Sequence, residues 1–365
     1  MEVSMSISIT ELFTLPLSEW RKPSYVRLAM TPSTFHADVS SSLLFKGRPG
    51  DPRLGEWVNA SALIPTVISR PRKKNRENIV IWGCPDDTGV LLNRGRAGAK
   101  GGPDSIRKHL YKMTPPMDFR WEDKIQLWDY GNLVPTENLN ETHRHCRQIA
   151  AAIIATGATL IVLGGGHDFA APNFSGFVEG FPLRGGKEKR SFGLINVDPH
   201  LDVRERENGL PHSGTPFREI LDSKILKGEN LIQFGTRANR NARIHYEYCR
   251  QKKVTVLPLE NLRENAKPIT QQFELAMNRL SRQVAFPAVT FDMDSCSEAE
   301  GVSAAPVLGF TAYELCKMAE TAGQTAALRY FEIAEVAPAL DNAERSSRIA
   351  AEMVFAFLRA RASLA

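Results

Sequence analysis

The sequence predicts an α/β fold: a three-layer α/β/α sandwich built on a mostly parallel sheet. Three observations predict it. Short apolar runs alternate along the chain with helical patterns, which is the order of a parallel sheet covered by helices. Several runs, such as Ile79-Val-Ile-Trp-Gly-Cys84 and Ala158-Thr-Leu-Ile-Val-Leu163, are apolar at consecutive positions rather than alternate ones, so both faces of those strands are buried. Acidic residues and histidines fall where these runs end, and in open α/β sheets the C-terminal strand ends share one edge, where ligands bind.

Residues 1–77 read as an N-terminal extension packed on a main domain of residues 78–365. The extension has scattered Pro and Ser with little periodicity. Its aromatics, Trp20, Phe35, Phe45 and Trp57, argue against a disordered tail. It ends in the basic run Arg70-Pro-Arg-Lys-Lys-Asn-Arg76, read as a solvated linker. The strand at 79–84 follows. The loop after it carries Arg94 and Arg96 and ends in Gly101-Gly-Pro103, where proline suits the first turn of a helix reaching Met113. Gln126–Tyr130 is a weaker strand, Glu141–Ala155 a helix, and Ala158–Leu163 a strand that runs into Gly164-Gly-Gly-His-Asp168. The glycines permit a tight turn there.

The run Leu194-Ile-Asn-Val-Asp-Pro-His-Leu-Asp202 begins as a strand and ends in three polar side chains at alternate positions. On an extended segment alternate residues point the same way, so Asp198, His200 and Asp202 are expected to converge, with Arg204 one alternate position further on. Leu231–Gly235 and Val254–Pro258 are further strands, with a helix carrying His245 and Tyr246 between them, and Ile269–Leu280 is amphipathic. Val289–Asp294 is a strand ending in Asp292 and Asp294. Thr311 and Glu314 have the spacing of a capping box for a helix through Glu320. Tyr330–Glu335 is the last strand, and an Ala-rich helix runs from Ser346.

Composition narrows the function. With 42% hydrophobic and 24% charged residues in 365, the chain is ordinary globular protein. The net charge of +5 lies partly in the linker and gives no nucleic-acid stripe. No apolar run approaches the roughly 20 residues of a membrane span. The five cysteines form no C-x-x-C pair, which argues against a disulfide framework and a cysteine zinc site and suits a reducing compartment, the cytoplasm. The N-terminus has neither the basic nor the apolar region of a signal peptide. Gly164-Gly-Gly lacks the G-x-G-x-x-G spacing of a nicotinamide enzyme.

A single Asp-x-His-x-Asp is also compatible with a capped strand end. Three separate acid and histidine clusters at strand ends are better explained by one site. In their order, Gly165-Gly-His167, Asp198-x-His200-x-Asp202, Asp292-x-Asp294 and Glu335, the chain resembles the ureohydrolase (arginase/agmatinase) family over about residues 79 to 360. Within it, the likeness is to the formimidoylglutamase branch, at Gly89–Gly98, Gly101-Gly-Pro103, His200–Arg204, Ser213–Phe217 and Gly301–Ser303.

The resemblance implies two manganese ions. His167, Asp202 and the bridging pair Asp198 and Asp292 would hold one; His200 and Asp294, with the same bridges, would hold the other. Oxygen and imidazole donors without thiolate suit Mn²⁺. It implies a small-molecule substrate: a linear amidine, best N-formimidoyl-L-glutamate, split to glutamate and formamide. Asp202 would orient the attacking water and Glu335 would bind the cationic amidine. Arg204 would bind one carboxylate of the substrate, with Arg94 and Arg96 as candidates for the other. A trimer or hexamer is also implied. Ser213 stands where arginases and agmatinases have a histidine, with His212 one position earlier, so the proton donor to the leaving group is not evident. A urea-releasing agmatinase, guanidinobutyrase or arginase is the nearest alternative, and a non-catalytic metal-bound scaffold the alternative of another class.

Overall fold

The computed structural model describes residues 36–60, 76–116, 120–181 and 190–364. Most of the extension and nearly all of the basic linker lie outside these. In chain order the strands are β1 His36–Ala37, β2 Asn59–Ala60, β3 Glu77–Cys84, β4 Ile125–Leu133, β5 Thr159–Gly164, β6 Phe192–Val197, β7 Leu231–Thr236, β8 Thr255–Pro258, β9 Phe286–Asp292 and β10 Tyr330–Ala334. They form one sheet in the order β1-β4-β3-β5-β10-β9-β6-β7-β8, with β2 also pairing with β4. Among these described strands only the β1–β4 pairing is antiparallel.

Consecutive apolar residues in a strand face opposite sides, and two cores result. Ile79 and Ile81 join one with Ile161, Ile195, Val289 and Phe331, under helices Gly102–Leu110, Ile269–Gln283, Ala312–Gln324 and Arg345–Leu364. Val80 and Trp82 join the other with Leu160, Val162 and Leu194, under helices Leu139–Ala155, Ala170–Gly180 and Pro216–Asp222. The fold is therefore the expected three-layer sandwich, and each fully buried Ile or Phe contributes about 1.5–3 kcal/mol. Ion pairing fixes the β3–β4 side. The buried Arg107 guanidinium grips Asp129 of β4 at 2.7 and 2.9 Å, a bidentate pair.

The expected capping box is present: Thr311 Oγ1 accepts from the Glu314 N–H at 3.2 Å, and Glu314 accepts in return from the Thr311 N–H at 2.8 Å. Two strands are shorter than the sequence suggests. The Leu194 run stops at Val197, and the Val289 run stops at Asp292, with Met293–Ser295 in a 3-10 turn. Carboxylates accepting from nearby backbone N–H groups favour turns over the sheet ladder. Among the described residues no helix is long and apolar enough to cross a membrane.

Candidate metal centre

Four neighbouring strands at the middle of the sheet, β5, β10, β9 and β6, deliver the acids and histidines to one edge. His167 sits in the 3-10 turn after β5, and Asp292 is the last residue of β9. His167 Nδ1 lies 3.2 Å from Asp198, 3.1 Å from Asp202 and 3.2 Å from Asp292. His200 Nδ1 lies 3.3 Å from the other oxygen of Asp198 and 3.9 Å from Asp294. Two groups of donor atoms result, His167 with Asp198, Asp202 and Asp292, and His200 with Asp292 and Asp294. All six residues singled out from the sequence as metal donors are brought together.

The route differs from the expected one. Asp198 to Asp202 is not an extended segment whose alternate residues point alike. The His200 N–H turns back to donate to Asp198 Oδ1 at 2.6 Å, and Asp202 has a left-handed backbone, φ 47°. Glu335 is also left-handed, φ 66°, a strain of about 1–3 kcal/mol that persists only where the surroundings enforce it. They do: its N–H donates to Gly165 O, and its Oε1 accepts from the His167 N–H, both at 2.9 Å.

Electrostatics favour a bound cation. Burial, then the charge of Asp198, pushes Asp202 up to about 6. Burial, then Asp294 and Asp198, raises Asp292 far above the carboxylate range, and burial with Asp292 and Asp294 raises Glu335 likewise. Burial opposes the charge on both histidines, yet the surrounding carboxylates outweigh it. His200 is pushed up to about 10 and His167 is raised strongly. Such a nest of buried acids, with two imidazoles set among them, fits divalent cations, whose charge inverts these shifts. The donors are oxygen and nitrogen throughout, which fits manganese among others.

A row of buried polar side chains underlies the centre, and sequence reasoning missed it. Gln233, Asn196, Thr290 and Glu332 are in register across β7, β6, β9 and β10. His167 Nε2 bonds Thr290 Oγ1 at 3.1 Å. With its Nε2–H donating there, Nδ1 is the nitrogen turned to the carboxylates, the outer-partner role common for ligating histidines. Asn196 Nδ2 reaches Asp198 at 3.3 Å, and Gln233 Nε2 holds Leu201 O at 2.9 Å. A polar residue inside each apolar run was the available signal. Asn241 was also missed, and nothing local marks it. It accepts from the Leu201 N–H and donates to Pro199 O, both at 2.8 Å, pinning the loop that carries His200.

Above the centre opens a cavity of about 510 Å³, with His200, Asp202, Asp292, Asp294 and Glu335 at its floor and Arg94, Arg96, Arg204 and Arg240 in its wall. Two of the arginines named from the sequence have other partners. Arg96 donates to Ser303 O at 2.9 Å and Val302 O at 2.8 Å. Arg94 lies 3.7 Å from Glu207 with its side chain 87% exposed. His212 does not face this cavity: Nε2 meets Glu205 O at 3.0 Å, and Nδ1 accepts from the Gly214 N–H at 3.1 Å. Both nitrogens are occupied, so His212 is a loop strut.

Known proteins resemble this chain in sequence and in fold. The family model described as Arginase family matches residues 77–359. A formimidoylglutamase of Staphylococcus aureus is 30% identical over 295 residues, covering 80% of this chain and 89% of that protein. The crystal structure of Trypanosoma cruzi formiminoglutamase with Mn²⁺ superposes with a TM-score of 0.72 at 29% identity, covering 86% of this chain and 99% of that one. The formimidoylglutamase of Bacillus subtilis, 23% identical with a TM-score of 0.74 over 87% of this chain and 94% of that one, shares the fold. The chain belongs to the arginase family.

Proposed function

We propose that the protein hydrolyses the C–N bond of a linear amidine with two manganese ions, and that its substrate is N-formimidoyl-L-glutamate. One observation carries the reading. Glu335 Oε2 is buried without a hydrogen-bond partner among the described residues, on the floor of a cavity walled by arginines. An unpaired buried carboxylate oxygen is costly, and an amidinium N–H would satisfy it.

His167, Asp202, Asp198 and Asp292 would hold one ion, and His200 and Asp294, with Asp198 and Asp292 shared, the other. The ions would supply the positive charge that activates water near neutral pH. The chain's own residues do the rest. The His167 N–H fixes one oxygen of Glu335, which leaves the other to take the amidinium and set the carbon over the acid cluster. Asp202 orients the attacking water. Arg204 pairs with a substrate carboxylate. The water oxygen bonds to the amidine carbon, the bond to the glutamate nitrogen breaks, and that nitrogen leaves with a proton, giving L-glutamate and formamide.

Product analysis tests this directly. Metal-loaded protein given a panel of amidines and guanidines should release formamide and glutamate from formimidoylglutamate fastest. Urea from agmatine, guanidinobutyrate or arginine as the faster product would overturn the substrate, and no turnover with metal bound would overturn the enzyme.

A further inference from the structure

The cavity wall holds four arginines, and they are not equivalent. Arg94 faces Glu207 and Arg96 is tied to two carbonyls. Arg204 and Arg240 have no hydrogen bond or ion pair for their guanidiniums among the described residues, although both line the cavity that holds Asp202 and Glu335. Arg240 was not singled out from the sequence. It ends the 3-10 turn Ala238–Arg240 after β7, while Arg204 lies in the loop after β6. Their loops are joined, because Asn241 bonds both Leu201 and Pro199.

Strand order sets the two loops at different removes from Glu335. From the Glu335 strand the order is β10-β9-β6-β7. At about 4.8 Å per strand, β6, which the Arg204 loop follows, lies roughly 10 Å from the Glu335 strand, and β7, which the Arg240 loop follows, roughly 14 Å. A substrate anchored by its amidinium at Glu335 would present its near carboxylate first and its far carboxylate next along that line. The charges match as well. One carboxylate meets one cation at the floor, and two unengaged guanidiniums face two carboxylates at the wall. A guanidinium binds a carboxylate through two parallel N–H bonds.

We infer that Arg204 and Arg240 form a two-point clamp for a dicarboxylate leaving group, Arg204 taking the carboxylate near the scissile bond and Arg240 the distal one. The clamp rests on the amidine-hydrolase reading above and names what selects the substrate within it.

The test pairs each arginine with each carboxylate. The substrates are N-formimidoyl-L-glutamate, N-formimidoyl-L-glutamine, which lacks the distal charge, and N-formimidoyl-4-aminobutyrate, which lacks the near one. The parent protein should lose about tenfold or more in kcat/KM for either loss of charge. Arg240→Met should treat the glutamate and glutamine derivatives alike while still rejecting the aminobutyrate. Arg204→Met should show the converse. Arg240→Lys should recover part of the discrimination, and metal content with thermal melting checks that each variant is folded. If Arg240→Met still separates glutamate from glutamine by the parent's factor, Arg240 is a solvated surface residue and the clamp is overturned. A parent that hydrolyses formimidoylglutamate without distinguishing it from either analogue overturns the clamp and leaves the function standing. A parent that turns over none of the three overturns the function, and the clamp with it.

Discussion

The floor and the wall of the cavity are built on opposite principles. On the floor, Asp198, Asp292 and Asp294 are at most 4% exposed, and the ligand side chains and their supports come from strand ends or the residues just beyond. Three of the donors have a fixed neighbour: Thr290 behind His167, Asn196 behind Asp198, and the Ala304 N–H on Asp294 at 3.2 Å. The wall is made of exposed arginines on loops. The difference separates two tasks. A centre proposed to hold two like-charged ions needs donors that cannot move, whereas a surface proposed to meet a flexible, charged substrate can form its ion pairs on binding. Substitutions on the floor should therefore cost metal and rate together, and those in the wall should change which substrate is preferred.

The largest effects should come from the shared carboxylates. Asp198 presents one oxygen to each histidine, and Asp292 belongs to both donor groups. Asp198→Asn and Asp292→Asn should each lower metal content from two ions towards none and reduce kcat by roughly 10³-fold. Metal analysis beside activity checks this, and full occupancy in either variant would remove that residue from the bridge. Glu335→Gln sharpens the same boundary. It should retain both ions and lose about 10²-fold in kcat/KM, the scale of an unpaired buried charge. Loss of an ion in that variant would move Glu335 from substrate to metal.

A smaller effect concerns protons and the row beneath the floor. Without metal His200 holds its proton up to about pH 10 and Asp202 up to about 6, and both must be deprotonated to ligate. Metal binding therefore releases protons. Apparent affinity should fall as pH is lowered across the neutral range, and more steeply below about pH 6, where Asp202 also protonates. Chelator competition at several pH values reads this slope, and a flat profile would contradict it. Thr290→Val removes the acceptor for His167 Nε2 and should weaken metal binding by about 10- to 100-fold, with Thr290→Ser close to the parent.

The floor was more legible in the sequence than the wall, for a physical reason. Acids at the ends of apolar runs mark a sheet edge whatever the local turn, so His167, Asp198, His200, Asp202, Asp292 and Asp294 were found together although the expected extended geometry from Asp198 to Asp202 was not. The turn there depends on His200 donating back to Asp198 and on a left-handed Asp202, neither of which spacing reveals. Thr290 and Glu332 were readable as polar interruptions of buried strands. Arg240 and Asn241 were not: they lie in a loop after β7, and only tertiary packing brings that loop against Pro199 and Leu201. Arg96 was named as a candidate for a substrate carboxylate because an arginine in a strand-end loop looks available, and its carbonyl partners, in a loop more than 200 residues away, were not legible.

Arg96 gives the smallest prediction and the finest test of the distinction, because it stands in the wall and serves the floor. Its N–H donates to Ser303 Oγ at 2.9 Å, and its guanidinium binds Ser303 O and Val302 O. The next residue, Ala304, donates its N–H to Asp294 Oδ1. Arg96 thus fixes the loop that fixes a proposed ligand. Arg96→Met should cost about 1 kcal/mol through two lost hydrogen bonds to an accessible loop, which lowers Tm by about 2 °C. The backbone bond to Ser303 survives the change, so the loop should stay near its place and metal affinity should fall only about threefold. The ratio of kcat/KM for formimidoylglutamate over its glutamine analogue should stay at the parent value, since the Nε–H of Arg96 and one Nη2–H are held by the two loop carbonyls, which keeps its guanidinium on that loop. If that ratio instead collapses while Tm is unchanged, Arg96 leaves its carbonyls for the substrate, and the wall holds three working arginines.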